Sequence, residues 1–139
     1  MRVMILAKST PETENAARNP EGFEAMGRFS EELVNAGVLL AADALEPSSK
    51  GARVRFEGTK RTVIDGPFTE SKELVAGYWL WQVRSLDEAI EWLKRAPFGE
   101  GTELEIRAVA EWDEFVDRFT PELREGEERK RSAVAGGQS

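Results

Sequence analysis

The chain has 139 residues, the size of a single domain, and its 40% hydrophobic content is enough for a core, which excludes global disorder. Its 26 acidic and 19 basic side chains leave a formal net charge of −7, which opposes nonspecific binding to nucleic acid or to an anionic membrane. Cysteine and histidine are both absent, so there is no disulfide, thiol nucleophile or thiolate metal site, no imidazole base and no imidazole ligand. Acid–base chemistry would have to come from Asp, Glu, Lys, Tyr or a bound ligand, and no metal or cofactor is expected.

Residues 2–7 form a short apolar run with β-branched members and predict a central strand. Lys8 interrupts the run and no cleavage region follows, so it reads as the first strand of a cytoplasmic protein and not as a signal peptide. Residues 9–19 are polar and predict a loop. Asn19-Pro20 reads as an N-cap followed by proline at the first helical position. Phe23, Met26, Phe29 and Leu33 then recur at helical spacing, and Gly37 closes that helix.

Residues 38–42 predict the next strand, and Pro47 and Gly51 bracket a loop. Ala52, Val54 and Phe56 alternate with Arg53, Arg55 and Glu57, the pattern of a half-buried strand. A turn at Glu57–Lys60 returns the chain through residues 61–65 as a hairpin. Residues 68–74 predict a connecting loop or short helix. Residues 75–83 contain Tyr78, Trp79, Leu80 and Trp81 and read as a strand buried on both faces.

Ser85-Leu86-Asp87-Glu88 is a capping box. It opens the clearest helix, with Leu86, Ala89, Ile90 and Leu93 on one stripe and Pro97 beyond its end. Leu104, Ile106 and Ala108 alternate with Glu103, Glu105 and Arg107, predicting a last strand with one wet face. Trp112, Phe115, Val116 and Phe119 fit a further helical stripe. The domain is expected to span 1–119, with 120–139 a charged, flexible tail outside the core.

Without the hairpin, the order is strand–helix–strand twice over. This is the split βαβ arrangement of the α+β, ferredoxin-like fold, here with an inserted hairpin. Two helices would cover one sheet face. The other would carry either Trp79 and Trp81 or Tyr78 and Leu80, and both sets are apolar enough to need a cover. A second subunit over the Trp79–Trp81 sheet is the simplest cover, which makes a homodimer the expected assembly.

The stretch from Val63 through Asp65-Gly66-Pro67-Phe68 to Tyr78 resembles the signature of the YCII-related proteins, and within them the bacterial branch named for its Asp-Gly-Pro-Phe motif. Gly37–Leu40, Leu45-Glu46-Pro47, Asp87-Glu88-Ala89 and Glu103–Arg107 match habits of the same branch. The resemblance covers roughly residues 1–119. It implies a dimeric α+β barrel in which two ferredoxin-like sheets pack face to face, a fold similar to that of muconolactone isomerase. Some members carry a His–Asp pair in a cleft, which cannot be carried over to a chain without histidine. The branch is also associated with extracytoplasmic-function sigma factors, which implies a non-enzymatic regulatory or interaction role as the alternative to ligand binding.

The expected site is a cleft at the Asp-Gly-Pro-Phe loop that takes a small, potentially anionic ligand, with lyase- or isomerase-like chemistry as one outcome. Gly66 would let the backbone approach a ligand, Pro67 and Phe68 would shape the turn, and Asp65 would accept hydrogen bonds or act as a base. Asp65 can equally be read as a turn cap. Asp43 and Asp65 together could divide acid and base roles. Glu70 and Lys72 could hold an anion or be solvated loop charges. Arg53 could do so beside Arg55, Lys8 is a further anion contact, and Tyr78 is either a proton donor or core. RNA stacking on Tyr78, Trp79 and Trp81 is excluded by the charge and by the missing basic and glycine positions of such motifs.

Overall fold

The computed structural model describes residues 1–14, 20–68 and 73–137. Contacts divide the chain into two compact units, Met1–Ala108 and Val109–Ser139.

The first unit contains strand β1 (Arg2–Ser9), helix α1 (Pro20–Asn35), β2 (Leu39–Ala44), a 3₁₀ turn (Ser48–Lys50), β3 (Ala52–Glu57), β4 (Lys60–Asp65), β5 (Leu74–Gln82), α2 (Leu86–Lys94) and β6 (Leu104–Ala108). The main sheet has the order β2-β5-β1-β6, and all of its pairs are antiparallel. This is the expected ferredoxin-like α+β fold, with β3 and β4 forming a separate two-stranded sheet.

Local chemistry explains the ends of the elements. Pro20 opens α1; the cap expected at Asn19 lies outside the described residues. Gly37, at φ 72°, ends α1 in a left-handed conformation. Its N–H donates to Val34 at 3.0 Å, and that of Val38 reaches Leu33 at 2.9 Å, the paired bonds of a Schellman motif. At α2 the Ser85 hydroxyl accepts from the Glu88 N–H at 3.1 Å. The return half of the capping box shifts by one residue, since the Glu88 carboxylate accepts from the Arg84 N–H at 2.9 Å. That bond holds the Glu88 carboxyl below its ordinary range.

Burial decides which way β5 faces. Val3 pairs with Trp81 and Ile5 with Trp79, and these four join Phe29, Leu33 and Ala89 in the core. Trp79 is 8% exposed and Trp81 is 0%. The indoles are therefore covered by their own chain, which removes the expectation that a second subunit shields them. The opposite face carries Met4 against Leu80 and Leu6 against Tyr78, all half-buried, so β5 is fully buried on one face only.

The hairpin departs from the alternating half-buried pattern. All of β3 is exposed, with Val54 at 53% and Phe56 at 69%, and Val63 in β4 is at 64%. The alternation correctly separates two faces, but the two-stranded sheet lies apart from the main sheet, so neither face of β3 enters the core.

In the second unit, α3 (Trp112–Phe115) is a single turn followed by a 3₁₀ turn (Val116–Arg118), not the longer helix the stripe suggests. Trp112, Phe115 and Phe119 still cluster, with ring centroids 5.2 to 5.9 Å apart. The segment expected as a tail contains helix α4 (Pro121–Gly137). Thr120 caps it, accepting from the Leu123 N–H at 3.2 Å, and Lys130 pairs with Glu127 at 2.8 Å. Helices built on caps and charge pairs lack the apolar stripe that a sequence reading follows.

Candidate functional site

Register places one row of side chains across the sheet face opposite the helices. Asp43 of β2 lies beside Tyr78 of β5, Tyr78 beside Leu6 of β1, and Leu6 beside Glu105 of β6. The Tyr78 hydroxyl donates to Asp43 Oδ2 at 2.7 Å. That bond, then the carboxylate's charge, then desolvation raise the Tyr78 pKa above the ordinary tyrosine value. The phenol keeps its proton and aims it at Asp43, leaving its lone pairs to accept. Lys8 is engaged at this end of the sheet, 3.5 Å from Glu105 and 3.9 Å from Glu73, so its charge is already balanced.

The Asp-Gly-Pro-Phe turn lies elsewhere, at the end of the hairpin. The Gly66 N–H donates to the Gly51 carbonyl at 2.9 Å, and a Cβ on Gly66 would stand 1.6 Å from the Ser48 carbonyl oxygen. Only glycine fits that approach. The Phe68 N–H donates to the Ser48 hydroxyl at 3.1 Å. That hydroxyl donates to Glu14 Oε2 at 2.8 Å, and the Ser48 N–H also donates to the Glu14 carboxylate. The Arg53 guanidinium stacks over the Phe68 ring at 3.8 Å. Asp65 closes the hairpin ladder opposite Ala52 and is exposed. The motif ties the hairpin to the 3₁₀ turn. Glu70 and Lys72 lie outside the described residues.

A cavity of about 520 Å³ lies between α1 and the sheet. Gly22, Phe23, Met26 and Ser30 of α1 line it, with Ile5, Ala42, Gly77 and Trp79 of the sheet and Pro97 and Phe98 beyond α2. Asp43 and Tyr78 also border it. Strand alternation, however, sends their side chains to the face of Leu6, so the walls on the helix side are apolar apart from Ser30. Gly77 keeps the floor low: a Cβ there would come 2.9 Å from the Asp43 carbonyl oxygen. A sequence reading places Phe23 and Met26 on the core stripe of α1. Phe23 remains 55% exposed at the head of that stripe, a sign of an unfilled space that periodicity does not register.

The structure thus brings Asp43, Tyr78 and Lys8 onto one sheet face, and groups Arg53, Asp65, Gly66, Pro67 and Phe68 at the hairpin. Asp65 and the turn do not line the cavity. Among the described residues no three Asp or Glu side chains are placed to hold a metal ion, and no helix is long and apolar enough to cross a membrane.

An uncharacterised protein of Rhizobium meliloti is 38% identical over 61 residues, which is 44% of this chain and 49% of that protein. The matched stretch thus spans about half the length of that relative. The solved structure of 5-chloro-2-hydroxyhydroquinone dehydrochlorinase from Burkholderia phenoliruptrix, in complex with 2,5-dihydroxybenzoquinone, aligns over 81% of this chain and 98% of its own. Its identity is 14% and its TM-score 0.39. The YCII-related domain matches residues 1–113, most of the chain and all of the β1–β6 unit, and the protein belongs to the YCII-related family.

Proposed function

We propose that the protein binds a small, uncharged, largely apolar molecule in the cavity beneath α1, and does so as a homodimer. The carrying observation is the 520 Å³ space bounded by Phe23, Met26, Trp79 and Phe98. Its volume is in the range of small-molecule sites, and its lining is apolar with few polar groups, as such sites usually are. An anionic ligand fits poorly, because no Lys or Arg stands among the described lining residues. The reading therefore moves the ligand from the Asp-Gly-Pro-Phe loop to the space under α1. We read it as a binding function because the paired Asp43 and Tyr78 side chains turn to the opposite sheet face and leave the helix-side walls apolar apart from Ser30. The homodimer reading rests on Met4, Leu6, Tyr78 and Leu80, an apolar patch on the face opposite the helices. The Asp65–Phe68 sequence supports placing the protein in the family branch named for that motif.

Gly22 gives the test. A Cβ there meets nothing within 4 Å, so Gly22→Leu should fill the cavity while replacing a weak helix former with a strong one. The neutral fluorophore N-phenylnaphthylamine, followed by energy transfer from tryptophan, should bind the wild-type protein. It should bind Gly22→Leu at least tenfold more weakly, while the thermal midpoint holds or rises. No binding by the wild type, or equal binding by both proteins, would sink this reading.

A further inference from the structure

Among the described residues four strands lie at sheet edges, β2 and β6 in the main sheet and β3 and β4 in the hairpin. The sheet order leaves β6 at one edge of the main sheet and leaves β3 with β4 as its one strand partner. A two-stranded hairpin is only marginally stable in water, and this one exposes Val54, Phe56 and Val63 together. Register puts Val54 beside Val63 and Phe56 beside Arg61, so they share one face, while Arg53 and Arg55 share the other. The segment from Lys50 to Thr62 carries five basic side chains and one acidic one, in a chain of net charge −7. Its natural partner is an acidic surface.

This chain contains a matching edge. Laid parallel, Arg53-Val54-Arg55-Phe56-Glu57 meets Glu103-Leu104-Glu105-Ile106-Arg107. Charged positions face opposite charges throughout, and apolar positions face apolar ones. In β6 the apolar pair packs toward the core, on the side of α2, where Leu86 and Ile90 are exposed. Val54 and Phe56 would continue that apolar side.

We propose that β3 of one copy adds to the free β6 edge of a second copy, in parallel register with Arg55 beside Glu105 and Glu57 beside Arg107. Backbone hydrogen bonds supply the contact and alternate side chains set the register; a one-residue slip would set charged positions against apolar ones, and a two-residue slip would set Arg55 against Arg107 or Glu57 against Glu105. The contact uses strand edges and is independent of both the cavity and the sheet face opposite the helices.

The test is hydrogen exchange of the full-length protein at increasing concentration, combined with sedimentation. Amides of β3 and β6 should gain protection with concentration, and added salt should reduce it. The double variant Arg55→Glu/Glu57→Arg keeps the hairpin's net charge but inverts its order. It should need at least tenfold more protein for the same protection, and adding Glu105→Arg/Arg107→Glu should restore it. Val54→Thr/Val63→Thr keeps the β-branched shape, so the fold should persist while protection weakens. Concentration-independent exchange in β3 would overturn the proposal, as would inverted charges without effect. So would protection by anionic phospholipid vesicles alone, which would assign the hairpin to a membrane.

Discussion

Tyr78 is the only tyrosine in the chain, so its ionisation can be followed without interference. Its raised pKa follows from the Asp43 carboxylate that accepts its proton at 2.7 Å. Asp43→Asn removes the negative charge that opposes phenolate formation. The near-ultraviolet tyrosinate titration should then move down toward the ordinary tyrosine value of about 10. The sign for stability follows. A folded-state pKa above the unfolded one stabilises the protein fully below the ordinary tyrosine range, and that contribution is lost as pH rises through the folded value. The variant should therefore trail the wild type at neutral pH and converge with it in strong alkali. An unmoved titration would mean that the pair is not formed in solution.

At the scale of elements, the Asp-Gly-Pro-Phe turn acts as a structural junction. Gly66→Ala would force its Cβ to 1.6 Å from the Ser48 carbonyl oxygen, and backbone cannot yield as a flexible side chain can. A destabilisation of about 3 kcal/mol is expected in urea unfolding, larger than the loss of glycine flexibility would produce. A change below about 0.5 kcal/mol would show that the turn does not hold this approach. Most elements were legible for local reasons. The α1 stripe, the Gly37 stop and the Ser85 cap each act within a few residues, and the structure has all three. The α4 helix escaped notice although Thr120-Pro121 repeats the start signal read at Asn19-Pro20, because no apolar stripe follows it.

For the whole molecule, the question is what the sheet face opposite the helices meets. Met4, Leu6, Tyr78 and Leu80 form its apolar centre. Leu80→Glu places a charge there without entering the indole core. If the homodimer reading holds, this variant should lose the face-to-face contact and sediment at lower mass than the wild type at micromolar concentration, with near-ultraviolet circular dichroism unchanged. A wild-type monomer under the same conditions would remove the dimer but leave the cavity reading to the Gly22 experiment.

The sequence alone determined the order of strands and helices in the first unit, the split βαβ arrangement and the family, because hydrophobic period, caps and turn glycines act over short distances. It also named Asp43 and Tyr78, whose chemistry stands out in a chain without histidine or cysteine. Only the tertiary structure decided that Trp79 and Trp81 turn toward the helices, that Asp65 stays apart from Asp43, and that the open space lies beneath α1. Each of these depends on pairing register and on how well side chains from distant segments fill the volume between them, and no local pattern in the chain encodes that fit.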